Sequence, residues 1–164
     1  MAPCVQRLST ALVAAAQTLD PIVRKERTRG AARKLSDRNF ATGFCWSFAE
    51  GVGLWMRHGK PVAVWEEDWE GGMGPSHVAW RAPSGLVLDS LGAYEESVFL
   101  ARTLERHWED AAVDVRAWIV GDASAFELRK HGIFPPRKHL VELVAMTMNT
   151  FAPSASFECL RRGT

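Results

Sequence analysis

The chain has 164 residues, 47% of them hydrophobic and 24% charged, and its net charge is +1. Seven tryptophans and eight phenylalanines are too much apolar surface for a disordered chain, so the composition predicts one folded domain, 1–164. No apolar run approaches the roughly 18 residues that a membrane-spanning helix needs. Charge is unevenly distributed, since residues 1–38 are net basic and residues 39–112 are net acidic.

The cysteines bear on compartment. Cys4, Cys45 and Cys159 cannot all pair, and no two of them have CxxC spacing. A disulfide framework and a structural zinc site are therefore not expected, and a cytoplasmic location is favoured. The N-terminal segment is a little like a signal peptide, but its apolar stretch is too short. Leu8 and Leu19 fall on one helical face, which predicts an amphipathic helix instead.

Periodicity and turn residues predict an α+β chain, with helices first and then a small antiparallel sheet covered by helices. Two helices are expected up to about residue 36, divided at Asp20-Pro21, and the second carries a basic surface. The other predicted elements are a helix from Cys45 to His58, strand Val62–Trp65, an acidic loop over residues 66–75, strands His77–Trp80 and Leu86–Asp89, a helix Tyr94–Glu109, strand Val113–Val120, a short helix ending at Lys130, and a helix Leu140–Met148.

Three finer expectations accompany these elements. Residues 1–36 are predicted to be a basic helical extension, and residues 152–164 a flexible tail. Gly59 suits the position just after the helix that begins at Cys45. The predicted buried side of the Tyr94–Glu109 helix consists of Val98, Leu100, Ala101, Leu104 and Trp108.

Cys45 stands at the first turn of a predicted helix, after a glycine-containing loop. Unpaired backbone N–H groups and the positive end of the helix dipole stabilise a thiolate there, and the thiolate is the nucleophilic form. The same N–H groups can hold a developing oxyanion. The alternative is that Cys45 is a small buried apolar residue with no chemical role.

A predicted hairpin brings an imidazole and a carboxylate together. A turn centred on Pro83-Ser84 places His77 opposite Asp89 or Ser90. The carboxylate can then hold the imidazole in one tautomer, which is the role of the third member of a catalytic triad. The alternative is that Asp89 caps the following helix and His77 is an ordinary strand residue.

The segment GFCWSFA at residues 43–49 resembles the Gly-x-Cys-Trp-x-Phe segment around the nucleophile of papain-like cysteine peptidases. The resemblance implies that Cys45 is the nucleophile, His77 the base and Asp89 the orienting residue. Papain-type peptidases have a Gln six residues before the cysteine that completes the oxyanion hole. Asn39 stands at this offset, which implies the same role for it with a shorter reach.

The resemblance covers residues 37–92, and this chain departs from true papains within it. His77 follows Cys45 much more closely than in papains, and the orienting residue is Asp89. This compact order is similar to that of transglutaminase-like and arylamine N-acetyltransferase-like proteins and of small papain-fold proteins of bacteria and phages. It implies a papain-like fold and a cofactor-free, metal-free thiol hydrolase acting on amide or peptide bonds. An acyltransferase or transglutaminase with the same triad is the alternative.

The acidic loop and the basic helix suggest partners. If His77 is catalytic, Trp46, Trp65, Trp69 and Glu67 line the approach to it, and this combination suits a protein or peptide substrate, especially a cationic one. A non-catalytic papain-fold protein that binds a partner through this loop or through the basic helix is a second hypothesis. Nucleic-acid binding by the basic helix is a third, although no aromatic residue is interleaved with its basic ones.

Overall fold

The computed structural model describes residues 2–28, 40, 44–68, 72–108, 115–131, 133, 135–153 and 160. Within these ranges the chain is α+β, as the sequence predicts, with helices packed against a five-stranded antiparallel sheet. The elements in chain order are α1 (Pro3–Thr28), α2 (Cys45–Met56), β1 (Lys60–Asp68), β2 (Met73–Arg81), β3 (Val87–Asp89), β4 (Gly92–Tyr94), α3 (Glu96–Trp108), β5 (Val115–Asp122), α4 (Ala125–Lys130) and α5 (Lys138–Phe151).

The strand order in the sheet is β4-β3-β2-β1-β5, and each neighbouring pair is antiparallel. β1 and β2 form the long central hairpin. β3 is short, and its pairing with β2 is confined to Trp80 and Arg81. In the described part of the chain, β2 therefore has no strand beside it on the β3 side before Trp80.

The expected acidic loop over residues 66–75 is mostly a continuation of the β1–β2 hairpin. Glu66 pairs with Gly74 and Glu67 pairs with Met73, so the loop prediction is wrong at both ends of this segment. β1 is also paired along its other edge with β5. Hydrogen bonding of the backbone on both sides outweighs the weak strand preference of glutamate.

α1 is one continuous helix, so the predicted break at residue 20 is wrong. Pro21 lies inside α1 and lacks the N–H that would complete a helical hydrogen bond. The helix nevertheless continues, because Leu12, Leu19 and Val23 lie buried on the face that packs against α5 and the sheet. The amphipathic character predicted for this segment is confirmed. Among the residues that the structure describes, no helix is long and apolar enough to cross a membrane.

α2 ends at Met56, two residues earlier than predicted. Arg57 adopts the left-handed conformation with φ of 62° and its N–H donates to Gly53 O. The cap position expected for Gly59 is thus taken by Arg57, and Gly59 instead has a φ of 106° beside the backbone of Arg81.

α2 and α5 pack side by side and run in the same direction. Ser47 Oγ near the start of α2 accepts the N–H of Arg137 just before α5. One turn later, a Cβ on Gly51 would lie 2.4 Å from Val144 Cβ, so this close approach needs glycine. The two helix N-termini consequently lie at the same end of the molecule.

The buried side of α3 agrees only in part with the predicted one. Leu100 and Leu104 are half-buried, and Leu100 packs against the cluster that contains Phe99. Val98 is 42% exposed and Ala101 is exposed, whereas Phe99 and Thr103 are buried; Trp108 lies where no side chain is described. The sequence prediction began the helix at Tyr94, but Tyr94 ends β4 and pairs with β3. The strand fixes where the helix starts, and so which face meets the sheet.

One cysteine prediction is wrong. Cys4, in the first turn of α1, is disulfide-bonded, while Cys45 is free. An odd number of cysteines excludes complete pairing but permits one bond, and distant parts of a chain can supply its two ends.

Candidate active site

Cys45 is the first residue of α2 and is almost completely buried, with 7% of its surface exposed. The residue before it, Phe44, provides no side-chain cap for the helix. The first-turn amides of a helix have no partner within the helix. One of them, the N–H of Trp46, donates to the Cys45 sulfur. The predicted position of the thiol at a helix N-terminus is confirmed.

A second N–H reaches the Cys45 sulfur from the sheet, that of Val78 in β2. Ala82 N–H donates to Leu86 O across the β2–β3 turn, and Trp80 pairs with Leu88. Because alternate residues of a strand direct their N–H groups to the same side, Val78 also points its N–H toward the β3 side. No β3 residue pairs there in the described chain, and the Val78 N–H helps to lower the pKa of the Cys45 thiol.

His77, Asp89 and Cys45 form a chain of hydrogen bonds. His77 Nε2 lies 3.1 Å from Asp89 Oδ2, and both side chains are only 2% exposed. The His77 ring also hydrogen-bonds the Cys45 thiol. Since Nε2 faces the carboxylate, Nδ1 is the nitrogen available to the sulfur. Asp89 Oδ1 in turn accepts the N–H of Leu91 at 2.8 Å, which fixes the orientation of the carboxylate.

The hairpin register differs slightly from the predicted one. Trp80 pairs with Leu88, which puts Asp89 level with Ala79 rather than with His77. His77 and Asp89 are therefore diagonal neighbours on one face of the sheet. Diagonal positions are about 7–8 Å apart, a distance that two inward-leaning polar side chains span.

The hydrogen bonds and charges of the site change the pKa values of both Cys45 and His77. Burial alone would raise the pKa of the Cys45 thiol, but the hydrogen bond and charge of His77, with the N–H groups of Val78 and Trp46, outweigh it and lower the pKa below 9.0. Burial alone would lower the pKa of His77, but its hydrogen bonds to Asp89 and Cys45, and their charges, raise that pKa to about 9. Both shifts are in the direction of a thiolate beside an imidazolium.

Phe99 of α3 covers the His77 ring, and no motif or spacing in the sequence singles it out. The two ring centroids are 5.8 Å apart with an interplanar angle of 35°, and Phe99 is fully buried. Arg81 of β2 pairs with Glu96 at the start of α3, which ties this helix to the strand that carries His77. Phe99 thus adds an apolar contact to the buried His77 ring. A prediction that placed the start of α3 correctly would have put Phe99 on the side of the helix that faces the sheet.

The surroundings of the thiol are apolar. Trp46 and Trp65 belong to the same apolar cluster as Cys45 and are 2% and 8% exposed, so they are part of the core. That they line the approach to His77 stays a prediction. Trp46 Nε1 donates to Glu50 Oε1. Together with Cys45 they form an apolar cluster, called here the thiol cluster, whose members are Cys45, Trp46, Ala49, Ala63, Trp65, Val78, Ala123 and Leu128, with Ile133 and Trp80 packed against it.

The remaining candidates are not all part of this geometry. Asn39, the expected oxyanion donor, and Trp69, an expected lining residue, lie outside the described residues. Glu67 is half-buried at the end of β1. Of the predicted basic surface, Arg24 and Lys25 are exposed on α1, and the residues beyond position 28 lie outside the described part.

The described residues contain no group of three or more His, Cys, Asp or Glu side chains placed to hold a metal ion. The arrangement can instead perform nucleophilic chemistry, because it joins an activated thiol to a proton-transfer group and an orienting carboxylate. No protein-family model, curated protein or solved structure matches this chain.

Proposed function

We propose that this chain is a thiol-dependent hydrolase that cleaves an amide or peptide bond through a covalent acyl-enzyme. The observation that carries the proposal is the buried Cys45–His77–Asp89 hydrogen-bond chain, whose ends are held by backbone N–H groups. A structural cysteine needs neither a hydrogen-bonded imidazole nor two converging N–H groups. Buried polar groups are costly, and three of them in sequence are typical of chemistry rather than of packing.

In the proposed reaction the Cys45 thiolate attacks the carbonyl carbon of the scissile bond, and the carbonyl π electrons move to oxygen. The tetrahedral intermediate collapses, the carbon–nitrogen bond breaks, and the His77 imidazolium gives its proton to the departing nitrogen. Water then attacks the thioester carbon while His77 accepts its proton, and the carbon–sulfur bond breaks with its electron pair returning to the Cys45 sulfur. The products are a carboxylic acid, an amine and the regenerated thiolate–imidazolium pair. Asp89 holds His77 with Nδ1 toward the sulfur throughout.

The developing oxyanion needs donors that are already in place. We assign this role to the Cys45 N–H at the positive end of α2, with the Asn39 side chain as the second donor. Donors of this kind contribute roughly 3–4 kcal/mol to the transition state in characterised acyl-transfer enzymes.

We propose that the fold is a compact papain-like one. Support comes from a nucleophile at a helix N-terminus, followed by histidine and its acidic partner on adjacent antiparallel strands. Acyl transfer to an amine would use the same residues and differ only in what attacks the thioester. Quantifying free acid against amide product separates hydrolysis from transfer.

The proposed substrate is a protein or peptide. The acidic segment predicts a substrate that carries a cationic group. The immediate surroundings of the thiol are apolar, however, and Glu67 lies at the end of β1, outside the thiol cluster. Cys4 is disulfide-bonded, and disulfides persist mainly in oxidising compartments, which argues against the cytoplasmic location expected from the sequence.

Thiol labelling tests the proposal first. Alkylation of Cys45 by iodoacetamide, followed across pH by intact mass, is expected to persist well below pH 9 in the wild type. In His77→Ala the labelling midpoint should move upward, because burial of the thiol is no longer opposed by the imidazole. His58→Ala, which changes an exposed histidine, is the matched control.

Acylation tests the chemistry itself. With p-nitrophenyl acetate as the acyl donor, we expect a burst of one equivalent of nitrophenol and an acetyl adduct on Cys45. His77→Ala should reduce the burst rate by about 100-fold, within the range of general acid–base catalysis. An unchanged labelling profile in His77→Ala, or acylation that does not map to Cys45, would overturn the proposal.

A further inference from the structure

The reacting sulfur is closed off by the chain itself. Cys45 is 7% exposed and His77 is 2% exposed, so neither can meet a substrate carbonyl as the structure stands. The thiol cluster includes Leu128, the one buried residue of α4, and Ile133 packs against it. His131, which follows α4, meets the edge of the Trp65 ring with the centroids 5.7 Å apart.

The hydrogen bonds at the two ends of α4 join residues of the segment 124–133 to one another. Ser124 caps its N-terminus by accepting the Glu127 N–H, and the Leu128 N–H donates to Ser124 O. At the other end His131 N–H donates to Glu127 O and Ile133 N–H donates to Leu128 O. These bonds join residues within 124–133 only. The segment can therefore move without breaking them, and what it loses is the packing of Leu128 and Ile133 and the contact of His131 with the Trp65 ring.

The side of α4 opposite Leu128 is exposed to solvent. Every residue of α4 other than Leu128 is exposed, and the Phe126 side chain is 76% exposed. Ala123, just before this segment, is buried and its N–H donates to Pro61 O, which holds that end to the sheet. Pro135-Pro136 follows at the other end and restricts the chain there. The segment between them is held down by a single fully buried side chain.

We propose that α4 is a displaceable cover, and that its Leu128 side chain occupies the place beside the thiol that an apolar group of the substrate takes. This inference rests on the proposed function, because it takes Cys45 as the reacting atom. Opening exposes the rest of the thiol cluster, which is aromatic and aliphatic. Three of its members, Ala49, Ala63 and Ala123, have short side chains that leave room for a larger apolar group.

The apolar lining decides the substrate class at this position. A charged group placed among these side chains would lose its hydration without gaining a partner, which is costly. An apolar group of the substrate would regain the buried apolar area that Leu128 loses when α4 moves away. The acyl side of the substrate next to the scissile bond is therefore neutral and apolar, in contrast to the cationic group expected from the sequence.

Alkylation rates at a pH where Cys45 is fully ionised measure the opening, since a buried thiol reacts only in the open state. Leu128→Ala should raise the iodoacetamide rate about tenfold or more, with Leu128→Val giving a smaller rise if the alanine variant folds poorly. Phe126→Ala, on the same helix but exposed, should leave the rate unchanged. In the wild type, an iodoacetamide carrying a phenethyl group should react at least about tenfold faster than one carrying an aminoethyl group.

An unchanged rate in both folded Leu128 variants, or an aminoethyl reagent as fast as the phenethyl one, would overturn the inference. Failure of the proposed function has a different signature. If labelling does not depend on His77 but Leu128→Ala still accelerates it, the catalytic triad is refuted and the cover is supported. If labelling depends on His77 but neither Leu128 variant accelerates it, the cover is refuted and the catalytic triad is supported.

Discussion

Replacing Asp89 with asparagine tests whether the carboxylate controls the proton on His77. The pKa of His77 rises from 6.5 to about 9, and the hydrogen bond from Asp89 is the largest of the contributions that raise it. At about 1.4 kcal/mol per pH unit, the whole rise favours the charged imidazole by about 3 kcal/mol. The asparagine side chain keeps an oxygen for the Leu91 N–H but carries no charge. We expect the Asp89→Asn variant to lower the pKa of His77 by at least about one pH unit.

The assay must be a direct titration of the imidazole. His77 stabilises the fold fully below pH 6.5 and loses that contribution as the pH rises through about 9. Cys45 has a lowered pKa, so its contribution is present above 9.0 and is lost as the pH falls through the folded value. The two effects oppose each other in the pH dependence of unfolding. NMR titration of the His77 ring, assigned by its absence in His77→Ala, separates them.

A matched control exists on α5. Glu142→Gln removes an exposed carboxylate that pairs with Lys138 at 3.9 Å, and it should leave the His77 midpoint in place. A His77 midpoint that is the same in Asp89→Asn as in the wild type would refute the assignment of Asp89. So would an equal shift in the Glu142→Gln variant, because the effect would then be general electrostatics.

Three further changes have expected outcomes. Phe99→Ala should lower the free energy of unfolding by about 3–5 kcal/mol; unfolding in urea measures the loss, and an unchanged free energy would contradict the burial of Phe99 against the His77 ring. Gly51→Ala places a Cβ 2.4 Å from Val144, so thermal melting should show a lower Tm, whereas an unaltered Tm would mean that α2 and α5 separate easily. Cys4→Ser should cost about 2–4 kcal/mol, and a reductant should reproduce that loss in the wild type but add nothing in the variant.

The residues of the candidate site were predictable because their signals are local. A cysteine after a glycine-containing loop marks a helix N-terminus, and a Pro-Ser-Gly turn brings His77 and Asp89 onto adjacent strands. The predicted register missed only the diagonal offset between these two residues. Their proximity to Cys45 came from the resemblance rather than from spacing, since no local pattern fixes how α2 meets β2.

The features that sequence reasoning missed depend on distant contacts. Pro21 is a helix breaker by its own chemistry, but burial of Val23 in the core keeps α1 continuous. Phe99 covers His77 because β4 delays the start of α3, and β4 has only three residues. Leu128 joins the thiol cluster from a helix of six residues far along the chain. No short window of sequence contains both partners of any of these contacts.

The shortness of β3 has a consequence for how this protein avoids self-association. An uncovered strand edge presents a row of unpaired N–H and C=O groups, which is a template for pairing with another chain. Here the N-terminus of α2 abuts that edge of β2, and the Val78 N–H there helps to lower the pKa of the Cys45 thiol. The packing of α2 against β2 thus also covers an edge that could pair with another chain. A chain in which the start of α2 were displaced would expose this edge, so damage at Cys45 should be detectable as aggregation as well as by a change in thiol labelling.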